Sequence, residues 1–477
     1  MRLYDLLNGV DFIPVNGRNE EIENITIDSR KVRKGSLFVC IDGFSVDGHN
    51  FISQAVKSGA SAIVVSKEVS LNEDITVIKV KNTREALSYI AMNFFGNVHK
   101  NMTMVGVTGT NGKTSITYFL EAVLDRAGIK SGVIGTVGAR IGDKKIDVEI
   151  ATSTTPDPIE LHEIFKIMYE NGVKVVIMEA TSHALELNKL EGITFDHAIF
   201  TNLTQDHLDL HGSMDEYKKA KAKLFENSLK SVINIDDEYS GYMVEKVKGQ
   251  VLSYSIERNS DIRAENVEYL ANSIKFDING HKFNIPIAGR FTVYNSLAVI
   301  GTALNLGISI DIIKSALENL KGVPGRIQSV ENNKGISVIV DYAHTPDSLK
   351  NIIEAVREFT TGKVITIFGC GGDRDATKRP LMGEISARLS DFTIITSDNP
   401  RSEDPEKILS DIEAGVFAIT SNYLKIVDRR EAIFRTIKMA KKGDTIIIAG
   451  KGHENYQIFA DKTIHFDDVE VAKEALA

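Results

Sequence analysis

The stretch VGVTGTNGKTSITYFL, Val105 to Leu120, has the parts of a phosphate-binding loop. Such a loop needs inward-facing backbone N–H groups, a lysine for the phosphates and a hydroxyl for Mg²⁺. Gly109 and Gly112 permit the tight backbone, Thr110 and Asn111 lie between them, and Lys113 and Thr114 supply the charge and the hydroxyl. The strict spacing wants a glycine at position 107, where this chain has valine, with glycines instead at 106 and 109. A plain strand-to-helix turn also favours glycine, but strand, glycines, Lys-Thr and helix in this order point to phosphate. Downstream, VVIMEATSH puts Glu179 just after an apolar run, and FTNLTQDHLDLHGS brings His207 after another. Hard cations prefer oxygen ligands, so Thr114 and Glu179 suit Mg²⁺. His207 alone would read as a structural or solvated histidine.

A second set of clusters lies further on. The apolar runs ISVIVDYA, KVITIFG, FTIITS and TIIIAGKG end in Asp341, Gly369 to Asp373, Ser397 to Arg401, and Gly450 to Glu454. In an open parallel sheet the ligand crevice lies at the carboxyl ends of the strands. Ordinary turn chemistry accounts for any one of these clusters; all four together point to one shared pocket.

The elements that must carry these residues alternate between strands and helices, which predicts an α/β fold with mostly parallel sheets. A buried strand over TMVGVTG leads to a helix beginning near Lys113, with Gly128 as its C-cap. Residues 1–98, with the runs ITIDSR, SLFVCI, SAIVVS and ITVIKV, read as a small α/β domain. Residues 99–324 form the phosphate-binding domain, KGVPGRIQSV reads as a hinge, and residues 325–477 form a third domain. The length of 477 residues is too great for a single core. An apolar content of 43% and a charged content of 25% are ordinary for a soluble protein, and a net charge of −9 argues against general nucleic-acid binding. No run approaches the roughly 20 apolar residues of a membrane helix, and the acidic start does not read as a signal peptide. The two distant cysteines, Cys40 and Cys370, read as free thiols in a reducing cytoplasm.

Taken together, TGTNGKT, DHLDLHGSMDEYKKAKAKLF, GRFTVYNSLAV, DYAHTPDSL and GCGGDRDATKRPLMG resemble the Mur ligases over essentially the whole chain. That family uses the variant loop GTNGKT, so the spacing anomaly supports the resemblance. The resemblance implies ATP-dependent amide formation in peptidoglycan synthesis. It also implies three domains: an N-terminal UDP-binding α/β domain, a central P-loop-type ATPase with a mostly parallel sheet, and a C-terminal Rossmann-like domain that swings to close the site. Lys113 and Thr114 would hold ATP and the first Mg²⁺, with Glu179 and His207 as metal ligands. Lys221, which by pattern alone is a surface charge in a lysine-rich helix, matches the lysine that the family carbamylates with CO₂. Its carbamate, N6-carboxylysine, would support a second Mg²⁺. Asn295 resembles the adenine contact, and Arg326, Asp341 and His344 the C-terminal contribution to the nucleotide.

On the substrate side, TIDSRKVRKGSLFVCIDGFSVDGHNF resembles the UDP-binding segment, with Ser29, Arg30, Asp47 and Gly48 as candidates. Thr154 and Thr155, with Thr181 and Ser182, resemble the contacts to the muramoyl-dipeptide. Where the family usually has arginine this chain has Lys189, which keeps the charge but lacks the bidentate fork. In SDNPRSEDP, Asp398, Asn399, Pro400 and Arg401 match the branch that adds meso-diaminopimelate rather than L-lysine, a branch distinguished by one extra carboxylate on its amino acid. A guanidinium pairs with a carboxylate through two parallel hydrogen bonds. Arg379 is expected to hold another part of the amino acid, Glu454 to accept from its distal ammonium, and Gly450 to belong to the same amino-acid site. The implied partners are small molecules, with no nucleic acid and no membrane insertion, and the chain is expected to be a cytoplasmic monomer. The competing readings are lysine addition, a folylpolyglutamate synthase-like ligase, and a non-catalytic nucleotide-binding regulator.

Overall fold

The computed structural model describes residues 1–43, 46–69, 75–149, 154–270 and 273–477, with the side chains of Asn16 and Asp209 excepted. Phe44 and Ser45 of the UDP-binding segment, and Ser153 before the two threonines, lie outside the described residues. The first sheet has five strands in the order Phe12–Asn16, Thr76–Val80, Ala60–Val65, Ser36–Val39 and Asn24–Thr26. Its first pair is antiparallel and the rest are parallel. The strand Phe12–Asn16 was not expected from the sequence. It contains Pro14 and lies at the sheet edge, where a missing N–H is tolerated.

The second sheet has nine strands, and its central member is Thr103–Thr108. On one side of that strand lie Val175–Glu179 and Ser131–Gly135, and on the other Phe195–Phe200, Ser228–Asn234 and Gln250–Ser255, all parallel to it. The chain builds one side first and then crosses Thr103–Thr108 once, between Val175–Glu179 and Phe195–Phe200. A crevice opens at the carboxyl end of a strand where the order reverses in this way. The helix Lys113–Arg126 buries Ile116, Phe119, Leu120, Val123 and Leu124 against the sheet. Beyond it, Glu265–Tyr269, Ile274–Ile278 and His281–Ile285 form a small antiparallel sheet turned by Asn279-Gly280, both at positive φ.

The third sheet has six strands in the order Gln328–Ser329, Ser337–Asp341, Thr445–Ala449, Val364–Phe368, Phe392–Ile395 and Tyr423–Lys425. Only its first pair is antiparallel. The segment read as a hinge is tightly seated: a Cβ on Gly325 would lie 2.2 Å from the His453 nitrogen, and Gly325 O accepts from Tyr342 N.

One buried ion pair fastens two strand ends of this sheet. Arg429 and Asp468 are both fully buried and meet at 2.7 Å through two parallel hydrogen bonds. The same guanidinium donates to the carbonyls of Ser397 and Ala449, the residues that precede Asp398 and Gly450. Removing one member of such a pair strands a buried charge, at about 3–5 kcal/mol. Arg429→Met is therefore expected to lower stability by about that amount in a urea titration. The double variant Arg429→Met/Asp468→Leu should recover most of the loss.

Candidate active site

The loop after Thr103–Thr108 is held from below by its neighbours. Thr110 N donates to Asn202 O, Asn111 N to Asn202 Oδ1, and Thr201 Oγ1 to Asn111 O. A Cβ on Gly109 would fall 1.8 Å from Thr201 Oγ1, and one on Gly112 would fall 2.6 Å from Asn295 Oδ1. Both glycines have positive φ. Gly106 has another purpose: it lies within the strand, where a Cβ would press on Leu224 and Phe195. The misplaced glycine of the sequence motif is thus a packing residue, and the loop itself uses 109 and 112. Asn295, on the helix Arg290–Asn305, is buried against Gly112.

Two lysines converge on this loop. Lys113 Nζ donates to the carbonyls of Gly109 and Thr110, each at 2.8 Å. Lys221 Nζ donates to the same Gly109 oxygen, also at 2.8 Å, and stands 4.6 Å from the Tyr217 ring centre. Lys221 is only 1% exposed, so it is no surface charge. Burial pushes its ammonium well below the ordinary lysine range, the neighbouring Lys113 pushes it further, and Asp206 only partly opposes them.

Glu179 lies beside this pair. Its Oε1 accepts from Thr114 Oγ1 at 3.0 Å and from Thr136 N at 2.9 Å, and Oε2 accepts from Thr136 Oγ1. Its backbone carbonyl accepts from Thr155 Oγ1, which is 3.0 Å from Thr181 Oγ1, and Thr154 Oγ1 is 3.4 Å from Thr136 Oγ1. The four candidate hydroxyls for the muramoyl-dipeptide include Ser182, whose Oγ is 3.0 Å from His211 Nε2. Lys189 is buried and paired with Asp157 at 2.7 Å, just beyond the two threonines.

His207 begins a short helix at positive φ, with Nε2 3.4 Å from Asp206 Oδ2 and its ring 5.2 Å from that of His183. Burial pushes its pKa down to about 4 against the pull of Asp206, so the imidazole is neutral at pH 7 and able to act as a ligand. Burial raises the Asp206 carboxyl, but His207, His344, Lys378 and Lys113 outweigh it and hold the group below its ordinary value. Thr114 and Glu179 offer two hard oxygen donors side by side, which fits Mg²⁺. Among the described residues no group of three or more His, Cys, Asp or Glu is placed to hold a metal ion.

The third sheet reaches this loop directly. Arg326 Nη2 lies 3.4 Å from Thr114 Oγ1, with its guanidinium over the Tyr342 ring. Asp341 turns both oxygens to backbone, accepting from Ile327 N and Ala343 N, and so fixes the segment that carries Arg326. His344 Nδ1 is 2.8 Å from Tyr342 O and must donate there, which leaves Nε2 as an acceptor in the neutral ring. Burial lowers its pKa to about 4, helped by Lys378. Asp347 Oδ2 accepts from Asn111 Nδ2 at 2.7 Å and from Thr204 Oγ1 at 3.3 Å, a carboxylate from one sheet's helix set on the other's phosphate loop.

In the first domain, Ser29 Oγ donates to Gln54 Oε1, and exposed Arg30 pairs with Asp28. Asp47 is held by His49 and Lys67, and a Cβ on Gly48 would strike the Ile41 backbone. Ser29 and Arg30 lie on the short helix Ser29–Lys31, and Asp47 caps the next one, Gly48–Phe51.

The loops of residues 369–373, 398–401 and 450–454 meet. Gly372 N donates to Asn399 O, and a Cβ on Gly450 would be 2.6 Å from Asp398 Oδ2. Arg401 has φ 51°, with Nη1 donating to Gly372 O at 2.7 Å and its N–H to Ile458 O. Pro400 precedes it, its carbonyl against Gly372. The expectation for Arg379 does not fit the geometry. It is 1% exposed, and its guanidinium is taken up by Glu403, Asp411 and Gly371 O. Arg374, by contrast, is exposed, and its stem and Arg401 both flank Gly371: a Cβ there would lie 2.9 Å from Arg401 Nη1 and 3.8 Å from Arg374 Cγ. Sequence reasoning also passed over Thr136, Asp206, Asp347, Lys451 and His453. For Arg374 a signal existed, since it sits in the glycine-rich GGDRD turn at a strand end.

Comparison with known proteins agrees with this architecture. Family models for the Mur ligase middle domain, the Mur ligase glutamate ligase domain and the Mur ligase family catalytic domain match residues 107–303, 325–452 and 21–95. A Clostridium tetani protein named UDP-N-acetylmuramoyl-L-alanyl-D-glutamate--2,6-diaminopimelate ligase is 47% identical, over 100% of this chain and 99% of its own length. One of the same name from Bacillus velezensis is 45% identical, with the same coverage. A solved structure of that name superimposes with a TM-score of 0.70 at 29% identity, covering 100% of this chain and 98% of its own. With its phosphate loop, its buried lysine and its three sheets in that order, this chain belongs to the Mur ligase family.

Proposed function

We propose that the chain is an ATP-dependent ligase that joins meso-2,6-diaminopimelate to the D-glutamate γ-carboxylate of UDP-N-acetylmuramoyl-L-alanyl-D-glutamate, in peptidoglycan precursor synthesis. Residues 1–98 bind the UDP end, residues 99–324 bind ATP, and residues 325–477 bind the amino acid. The protein works in the cytoplasm as a monomer; among the described residues no helix is long and apolar enough to cross a membrane. The names of relatives at 45–47% identity support this reading. The observation that carries it is Arg401, held on Gly372 O, at the end of the same loop whose Asn399 bonds to Glu454. A guanidinium suits a carboxylate, and the half-buried Glu454 carboxylate suits an ammonium. Lysine has no distal carboxylate and would leave Arg401 without that partner.

The chemistry follows from the residues present. The loop N–H groups and Lys113 hold the β- and γ-phosphates, and the dipole of the helix Lys113–Arg126 adds to their field. Thr114 and Glu179 would hold the first Mg²⁺, and His207 and a carbamate on Lys221 would hold the second. When bound, Mg²⁺ offsets the negative charge that develops during phosphoryl transfer. A γ-carboxylate oxygen of D-glutamate attacks the γ-phosphorus, the bond to the ADP oxygen breaks, and an acyl phosphate forms. The amine of diaminopimelate attacks its carbonyl carbon and loses a proton, and inorganic phosphate leaves. Thr154, Thr155, Thr181 and Ser182 orient the dipeptide, and Arg326 and Asp347 hold the third domain over the loop. That closure excludes water from the acyl phosphate.

Carbamylation of Lys221 requires the neutral amine, whose lone pair forms the bond to CO₂ as a proton is released. Burial beside Lys113 favours that neutral form. The adduct replaces a cation with an anion next to Lys113, which removes the repulsion between the two.

Phosphate release is expected only when UDP-muramoyl-dipeptide and diaminopimelate are both present, and lysine should not substitute. Release that ignores both substrates would indicate a regulator or another ATPase. Arg401→Ala should raise KM for diaminopimelate by roughly 10- to 100-fold, the size of one charge-assisted pair, with KM for ATP changed by less than about two-fold. An equal loss in both would make Arg401 structural. Protein equilibrated with ¹³C-bicarbonate should show a carbamate resonance that is absent from Lys221→Ala. Turnover of that variant should drop by roughly 100-fold or more.

A further inference from the structure

Lys451 follows the strand Thr445–Ala449 and is fully buried. Its Nζ donates to Asn399 Oδ1 at 3.1 Å and lies 3.4 Å from Glu454 Oε2, with the Tyr456 ring centre 5.5 Å away. Asn399 Oδ1 also accepts from Ile458 N at 3.0 Å, and Asn399 Nδ2 donates to Glu454 Oε2 at 2.8 Å. These contacts leave one orientation for the amide. The flipped amide would set its NH₂ against the Lys451 ammonium and the Ile458 N–H, and its oxygen against the Glu454 carboxylate.

Charge counting adds a second argument. Arg429 and Asp468 neutralise each other. Around Glu454 itself, Asp398 and Lys451 then leave one net negative charge, with Arg401 outside that count and assigned to the carboxylate. Burial raises the Glu454 carboxyl, Asp398 raises it further, and Lys451 opposes both. Tyr342 and Tyr456 also face Glu454. A protonated Glu454 would lose the charge that an ammonium needs.

We propose that Lys451 is a positioning residue for amino-acid selection: it keeps Glu454 ionised and Asn399 aligned, so that the subsite accepts the distal ammonium of the incoming amino acid. This rests on the reading of the site as a diaminopimelate subsite. Lys451 does not touch the reacting atoms and acts through Asn399 and Glu454.

The test compares diaminopimelate with 2-aminopimelate, which keeps the distal carboxylate and lacks the distal amine. The wild-type protein should prefer diaminopimelate by about ten-fold or more in kcat/KM, the size of one charged hydrogen bond. In Lys451→Met the preference should shrink to within about two-fold through a rise in KM for diaminopimelate alone, with KM for ATP unchanged. Lys451→Gln, which keeps a donor and drops the charge, guards against a folding defect and should show the same convergence. If either folded variant keeps the wild-type preference, or loses both substrates equally, the inference fails. If the wild-type protein uses neither substrate, the proposed function fails instead.

Discussion

The carbonyl oxygen of Gly109 accepts from two lysines, and the arrangement of the phosphate loop depends on that shared contact. Lys113 reaches it from the start of its own helix and Lys221 from a helix more than a hundred residues further on. Two ammonium groups on one buried oxygen repel each other, and the low local dielectric strengthens the repulsion. The contact is tolerable if one amine is neutral or carries a different charge. Every nearby element accommodates this. Glu179 and Asp206 lie close enough to stabilise Lys113, and Tyr217 offers its ring face to Lys221. The central strand order places all of them at a single carboxyl edge.

The third sheet completes the site by contact with the loop itself. Arg326 meets Thr114, Asp347 meets Asn111, and His344 and Lys378 face Asp206. Asp341, although a strand-end acid, is turned to the backbone and sets the path of the chain on which Arg326 stands. The loops of residues 369–373, 398–401 and 450–454 are carried on the same sheet as these contacts, so on the proposed reading one domain both covers the phosphate loop and holds the amino acid.

Local features were legible in the sequence. A β-branched run, spaced glycines and Lys-Thr specify strand, turn and helix through their own backbone preferences, and the structure places Lys113–Arg126 where the pattern put it. Glu179 was legible because it ends an apolar strand. The choice between Arg374 and Arg379 was not, because it depends on which guanidinium finds Glu403 and Asp411, partners 24 and 32 residues beyond Arg379. Lys221 had no sequence signal of burial beyond its family likeness, since its lysine neighbours face solvent. Asp347 belongs to an ordinary helix start, and only the docking of two sheets sets it on Asn111. The hairpin at Asn279-Gly280 carried a turn signature that the strand alternation around it would have supported.

The Arg429–Asp468 anchor has an implication for how such an enzyme can diverge. It clamps the roots of two loops, at Ser397 and Ala449, while Arg401 and Glu454, proposed to meet the amino acid, stand further along them. Roots and tips are thus separately adjustable. On the proposed reading, altering residues 399, 401 or 454 would exchange the recognition surface on an unchanged foundation, and a lineage could trade one cell-wall building block for another without first rebuilding the scaffold beneath.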